Sequence, residues 1–486
     1  MKYLITLITV FSFLIVNGQN WNQLGLDIDG EALGDESGDS STVSMNAAGD
    51  RVAIGAYNND GNGNNAGHVR VYEWSGTDWV QLGLDIDGEA AEDNSGSVSM
   101  NATGDRLAIG ANRNDGNGNN AGHVRVFEWS GVAWVQLGLD IDGEAAWEGS
   151  GRSVSMNATG NRVTISAGDL VRVFEWSGTA WVKLGDITSS SQVYNGFGES
   201  VSMNSSGNRV AIGAPRDNSN AFLAGNVSIY EYTGTSWVQL GLDINGEAAY
   251  DHFGTSVSMN GNGNIVAIGA THNNYWNGHV RVYEWSGTAW VQLGLDIDGE
   301  FISGGIPGKF GWTVSLNTAG DRVAIGAKQN SGNGLSSGHV RIYEWSGTSW
   351  VQLGLDIDGE AAYDHSGIAS INAAGNRVAI GAHGNDGSGN WAGHVRVYEF
   401  ISTNNIQIEN EFNTIKTYPN PFSTSTTINL PSEPHIMTIY DILGNKVREE
   451  QVNGTTIIER RDLTKGLYLI EVKSENQNYS GKIVVD

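Results

Sequence analysis

The stretch Arg51-Val52-Ala53-Ile54-Gly55-Ala56 decides the fold, because the chain keeps returning to it. Close copies follow six more times, with the second residue at Leu107, Val163, Val210, Val266, Val323 and Val378, at steps of about 55 residues and one shorter step. A period in this range marks an architecture of repeated supersecondary units. Three further β-like runs surround each copy. In the first repeat they are Thr42-Val43-Ser44-Met45, His68 to Trp74, and Trp79-Val80-Gln81-Leu82-Gly83. Runs of Val, Ile, Tyr and Trp bounded by Gly, Asn and Asp are strand-and-turn vocabulary. Trp74 and Trp79 flank a short turn and are expected to pack across a hairpin.

Four antiparallel strands repeated seven times predict an all-β fold, a seven-bladed β-propeller over 19–402 whose blades bury both faces. The small residues of Ala-x-Gly-Ala would let adjacent sheets approach. Trp21-Asn22-Gln23-Leu24-Gly25 reads as a fourth strand with no blade before it, and the last repeat stops after His394 to Phe400. Pairing the two closes the ring and removes exposed edges. Strand alternation then puts the short turns on one face and the long loops, such as 58–67 and 84–94, on the other. Binding is expected on the long-loop face, since loops on a rigid scaffold carry function.

Composition agrees. The 486 residues include 67 Gly, 6 Pro and no Cys, which suits many tight turns and excludes disulfides, thiol nucleophiles and Cys-zinc sites. The net charge of −27 repels phosphate backbones and anionic lipid, which argues against nucleic acid and leaves cations or neutral glycans, and the expected partner is an extracellular glycan or protein ligand. Met1-Lys2, the apolar run Leu4 to Val16 and Val16-Asn17-Gly18 read as a cleaved signal peptide over 1–18, with no transmembrane segment afterwards.

Two resemblances sharpen this reading. Phe197-Gly198-Glu199-Ser200-Val201-Ser202 with Gly213-Ala214-Pro215 resembles an FG-GAP repeat of integrin-α-like propellers, as do Phe253-Gly254 with Gly269-Ala270 and Phe310-Gly311 with Gly326-Ala327. Members of that family often hold calcium in an Asp-rich hairpin between the first two strands. Here that turn is only Asn-Ala-Ala-Gly-Asp or similar, so the family site is not carried over. After a linker over 403–413, residues 414–486 resemble the type A sorting domain of the type IX secretion system of Bacteroidetes. The matching residues are Tyr418-Pro419-Asn420-Pro421-Phe422, Asp441 and Gly444, Gly466-Leu467-Tyr468, and Lys482 in the closing strand. The same residues read as a small Ig-like β-sandwich of short alternating strands, and the resemblance implies the type IX machinery as partner and export to the medium or outer cell surface.

Several residue sets invite a chemical reading. Asp60-Gly61-Asn62-Gly63-Asn64, Asp115-Gly116-Asn117-Gly118-Asn119 and Asp386-Gly387-Ser388-Gly389-Asn390 alternate oxygen side chains with glycine, so Asp60, Asn62, Asn64, Asp115, Asn117, Asn119, Asp386, Ser388 and Asn390 could hold Ca²⁺. The same residues also make ordinary solvated turns. Asp27-Ile28-Asp29-Gly30-Glu31 recurs at Asp85, Asp140, Asp296 and Asp356, and in modified form at Asp243. Near-identical copies point to a shared turn, whereas a catalytic carboxylate pair is singular. His68, His123, His279, His339 and His394 open the third strands and are expected to be structural. Tyr250-Asp251-His252 and Tyr363-Asp364-His365 are contact candidates. The expected function is non-catalytic binding or adhesion. The alternatives are a carbohydrate-binding lectin-like propeller, a polysaccharide hydrolase or lyase, and a structural coat component.

Overall fold

The computed structural model describes residues 20–39, 42–189, 195–300, 306–401, 412–441, 445–474 and 478–486. The expected leader 1–18, most of the expected linker, and Gly444 lie outside the described residues. Two compact units result, one over Gly18–Ile401 and one containing Ser402–Asp486.

In the first unit each copy of the opening hexapeptide is the second strand of an antiparallel sheet. Arg51–Ala56 lies between Val43–Met45 and His68–Trp74, and Trp79–Gln81 follows outside. Among the described residues seven such repeated, propeller-like sheets succeed one another. They are numbered here by their second strands: Arg51–Ala56, Arg106–Ala111, Arg162–Ala167, Arg209–Ala214, Ile265–Ala270, Arg322–Ala327 and Arg377–Ala382. These strands are buried without alternation because both faces are covered. One apolar cluster joins Ala53, Val69 and Val71 of sheet one to Val98, Leu107 and Ile109 of sheet two, and another joins Ile54 of sheet one to Ala379, Val395 and Val397 of sheet seven. Each fully buried Val or Ile side chain contributes roughly 1.5–3 kcal/mol.

The glycine of Gly-Ala is required by this stacking. A Cβ on Gly55 would lie 2.1 Å from the carbonyl oxygen of Gly96 in the next sheet. Gly110, Gly213, Gly269, Gly326 and Gly381 meet the next sheet's backbone in the same way, and sheet three alone carries Ser166 there. Phe197, Phe253 and Phe310 are at most 2% exposed, so the Phe-Gly pairs act in packing.

Hydrogen bonds run from sheet to sheet and return to their start. The hydroxyl of Ser44 accepts from the Met100 N–H, Ser99 from Met156, Ser155 from Met203, Ser202 from Met259, Ser258 from Leu316, Ser315 from Ile371, and Ser370 from Met45. A backbone chain parallels it, from the Ala47 N–H to Ala102 and finally from Ala373 back to Ala47. Asn20–Gln23 supplies sheet seven with its outer strand by pairing with His394–Ile401, in the register Trp21 to Phe400.

One expectation changes. Asp-Ile-Asp-Gly-Glu is not simply a turn: Ile86–Asp87 pairs with His68–Val69, so the outer strand rejoins the third strand after an excursion over Leu82–Asp85. Gly83, at φ 85°, permits the excursion, and a Cβ there would lie 2.9 Å from the Trp129 ring of the next sheet. Sheet three lacks one residue in this segment and runs unbroken over Trp181–Thr188.

The second unit was expected to consist of short strands. It is a six-stranded sheet dominated by Ser425–Tyr440 and Lys446–Glu459, with Ile428, Ile439, Ile470, Val472 and Ile483 in its core. The register shift between Asn429 and Pro434 lets the longest strand accommodate proline.

Candidate functional site

The three glycine-rich loops on the long-loop face use their polar atoms within themselves and on the adjacent segments between sheets. Asp60 accepts the Asn65 N–H at 2.8 Å, Asn62 donates to the Gly88 carbonyl at 2.7 Å, and Asn64 donates to Glu92 at 2.6 Å. Asp115 accepts from the Asn120 N–H and Asn117 donates to Gly143, each at 2.7 Å, while Asn119 accepts from the Asn120 amide. Asp386 accepts from the Trp391 N–H at 2.8 Å, Ser388 donates to Gly30 at 2.5 Å, and the Asn390 carbonyl accepts from the Gly34 N–H. Asn218 and Ser331 occupy the Asp60 position in sheets four and six and make the same bond, to Leu223 and Ser336. The position uses an acceptor whether or not it is charged.

The repeated histidines and carboxylates meet between consecutive sheets. His68 is 1% exposed, and its Nδ1 stands 3.8 Å from Glu31 and 3.9 Å from Asp85. Among the described residues such groups recur at His123, His279, His339 and His394. Each carries its own guanidinium. Arg70 lies 3.5 Å from Glu31 and donates to the Asp29 carbonyl, and Arg125, Arg281, Arg341 and Arg396 repeat the pairing. Arginine therefore fills the cationic place in each cluster, and the set fits an inter-sheet bridge better than a divalent ion. Burial lowers the histidine pKa values, to about 4 at His339 and His394, which keeps the imidazoles neutral at pH 7.

The first strands enclose a central channel. Its short-turn end is lined by Met45, Met100, Met156, Met203, Met259, Leu316 and Ile371. Its long-loop end widens into a basin of about 430 Å³, floored by Val43, Val98, Val154, Val201, Val257, Val314 and Ala369. Above this near-uniform floor five of the sheets present different residues: Asp39 from sheet one, Arg152 from three, Glu199 from four, Thr255 from five, and Trp312 with Lys328 from six.

The rim is organised by charge and aromatic contacts. The Tyr57 hydroxyl donates to Asp39 at 2.5 Å and lies 2.9 Å from Glu36, so burial and both carboxylates hold the phenol well above its usual pKa. His383 Nδ1 is 3.2 Å from Asp39, and burial lowers that imidazole to about 4. His365 stacks on His383 with ring centroids 5.2 Å apart, and its Nδ1 lies 3.2 Å from the Lys328 carbonyl. Lys328 sits 3.5 Å above the Trp312 ring and Lys309 reaches the same ring at 5.4 Å, and burial lowers both ammonium groups. Across the basin, Arg216 and Arg152 approach Glu199 at 2.7 and 3.6 Å.

The Tyr-Asp-His triplets divide their labour. Asp251 and Asp364 are buried and each accept two backbone N–H groups of their own loops. Tyr250 and Tyr363 are exposed, while His252 stacks on His272 as His365 does on His383. Sequence reasoning missed Asp39, Tyr57, Arg152, Glu199, Trp312, Lys328 and His383. Their signal was visible: they stand where seven otherwise similar repeats disagree.

In the second unit Asn420 braces the last strand, donating to the Lys482 carbonyl at 2.9 Å and accepting from the Val484 N–H at 2.7 Å. Pro419 and Pro421 flank it, Tyr418 is 83% exposed, and Asp441 accepts the Asn445 N–H at 2.9 Å. Gly466 opens the strand Gly466–Lys473, and the Tyr468 hydroxyl donates to the Thr464 carbonyl.

Residues 416–486 match the family described as "Secretion system C-terminal sorting domain". Among curated proteins, the "Endo-acting ulvan lyase" of Formosa agariphila is 39% identical over 75 residues, which is 15% of this chain. The chain spans only 14% of that relative's length. Solved structures with related shape include hydrazine synthase of Kuenenia stuttgartiensis, at TM-score 0.48, 10% identity, and coverage of 78% of this chain and 98% of that one. A structure titled "Structure of U3-55K" gives TM-score 0.46, 11% identity and the same coverage. No helix among the described residues is long and apolar enough to cross a membrane. Residues 416–486 are a type IX secretion sorting domain, and the protein that carries them is exported to the cell surface or beyond.

Proposed function

We propose that the exported chain is a non-catalytic binding protein built on a seven-bladed, FG-GAP-type propeller, with its Ig-like C-terminal unit serving export. The ligand, an extracellular glycan or protein, is taken in the axial basin of the long-loop face. One observation carries this reading. Positions that build the ring are nearly interchangeable among repeats, whereas Asp39, Arg152, Glu199, Thr255, Trp312 and Lys328 differ and converge on one cavity. A repeat scaffold gains nothing in stability from such divergence at its axis, and a ligand site does.

The test is binding of the full chain to a glycan array, compared with Trp312→Ala and Lys328→Gln. Both variants should fold and lose the wild-type signal. Unchanged binding in both would sink the reading.

A second reading, a polysaccharide-degrading enzyme, draws on the Tyr57, Asp39 and His383 constellation. A phenol kept protonated beside a neutral imidazole is a proton-transfer pair in reach of the basin. The similarity to ulvan lyase spans too little of that protein to carry its activity. Release of reducing ends from a bound polysaccharide, abolished by Tyr57→Phe, would favour this second reading over the first.

A further inference from the structure

Sheet three breaks the repeat, and the break opens a door. In the other sheets the second and third strands are joined by loops such as Tyr57 to Gly67. In sheet three Ala167 and Leu170 pair directly across Gly168-Asp169, so that wall is missing. Ser166 replaces the glycine that elsewhere presses into the next sheet's backbone. A cleft of about 680 Å³ results, and it shares Arg152 and Glu199 with the axial basin.

The lining of this cleft is chemically specific. Trp147 is 73% exposed and is held at φ 66° by its N–H bond to the Asn119 carbonyl. Arg152 and Arg216, at 60% and 46% side-chain exposure, converge on the single carboxylate of Glu199. Two guanidiniums carry ten N–H donors against about four acceptor positions on one carboxylate, so donors remain for an anion. Glu148 is occupied by Arg172 at 2.5 Å and by the Glu144 N–H. Asp169 also lines the cleft, and it too is engaged.

The distribution of cations points the same way. Between Asn20 and Phe400, twelve arginines hold repeat positions, and each is paired with a repeat carboxylate. The remaining six are Arg113, Arg152, Lys183, Arg216, Lys309 and Lys328. Of these, Arg152, Arg216, Lys309 and Lys328 lie in the cleft or at the basin rim. On so acidic a protein, cations freed from the repeat and gathered at one cavity mark a site for anionic groups.

We infer that the cleft at sheet three is the entrance subsite for an anionic polysaccharide, with Trp147 stacking on a sugar face and Arg152 and Arg216 binding its carboxylate or sulfate groups. This rests on the axial-face reading above and specifies its ligand. The full chain is tested by affinity electrophoresis with polygalacturonate, dextran sulfate and uncharged dextran. Wild type should be retarded by one or both polyanions and not by dextran. Retardation by polygalacturonate alone assigns a carboxylate, by dextran sulfate alone a sulfate, and by both a site that reads charge. Arg152→Gln with Arg216→Gln, and separately Trp147→Ala, should each weaken binding about tenfold or more while leaving the thermal midpoint near wild type. Equal retardation by dextran, no retardation by either polyanion, or polyanion binding unchanged in these variants overturns the inference. If polyanion binding is then lost only in Lys328→Gln, the basin reading stands and the entrance falls. If no variant on this face matters, both fall.

Discussion

The indole N–H of Trp21 donates to the carbonyl of Leu353 at 2.8 Å, across 332 residues of sequence. The same bond recurs locally around the ring, from Trp79 to Leu24, Trp134 to Leu82, Trp181 to Leu137, Trp290 to Leu240 and Trp350 to Leu293. Trp237 breaks the series: its Nε1 has no partner among the described residues, and the equivalent Leu184 sits at a register shift in the outer strand of sheet three. Trp21→Phe should therefore cost about 1 kcal/mol and Trp21→Ala about 3–5 kcal/mol. Trp237→Phe should be neutral or stabilising, since it removes an unsatisfied donor. Equilibrium urea unfolding of the three variants checks the set.

The glycine-rich loops give a test of acceptor against charge. Asp60→Asn should leave the thermal midpoint unchanged, because Asn218 makes the same bond in sheet four. Asp60→Ala should lower stability by about 1 kcal/mol. Calcium should shift neither variant relative to wild type. A calcium-dependent rise in midpoint that Asp60→Asn abolishes would instead identify a metal site.

Acid should loosen the ring through its histidines. Their folded-state pKa values are depressed below the ordinary 6.5, to about 4 at His339, so the folded state binds fewer protons than the unfolded chain. The stability they supply is full above about pH 6.5 and is lost as pH falls toward 4. For His339, 2% exposed, complete loss amounts to roughly 3 kcal/mol. His339→Asn, which copies Asn226 of sheet four, should flatten this part of the pH–stability curve. Denaturant midpoints at several pH values between 4 and 7 measure it.

The ring was largely legible in sequence, and for physical reasons. Val52, Gly55 and Trp74 recur because every sheet faces the same neighbour, and repetition exposes that constraint. The missing strand at one end and the spare strand near Trp21 announced their own pairing, which the register of Trp21 with Phe400 bears out. The basin was not legible in this way. Arg152 of sheet three meets Trp312 and Lys328 of sheet six only at the axis, and attention to repetition hides the positions where repeats differ. The rejoining of Ile86–Asp87 to the third strand was missed because the intervening Leu82–Asp85 reads as the end of a strand.

In the sorting domain, Asn420→Ala removes both bonds that tie the Tyr-Pro-Asn-Pro segment to the last strand. A loss of about 1–3 kcal/mol is large for so small a unit. Export should fall, with protein accumulating in the periplasm and declining at the surface and in the medium. Fractionation and immunoblotting read this directly, and Tyr418→Ala, at a solvent-exposed position, tests recognition separately from folding.

The central claim is that the axial basin on the long-loop face holds the ligand. Hydrogen–deuterium exchange of the full chain, with and without its bound glycan, addresses it most directly. The account predicts slowed exchange around Tyr57, Arg152, Trp312 and Lys328, with the short turns at Asn46 and Asn101 unchanged. Protection confined to those short turns would contradict it.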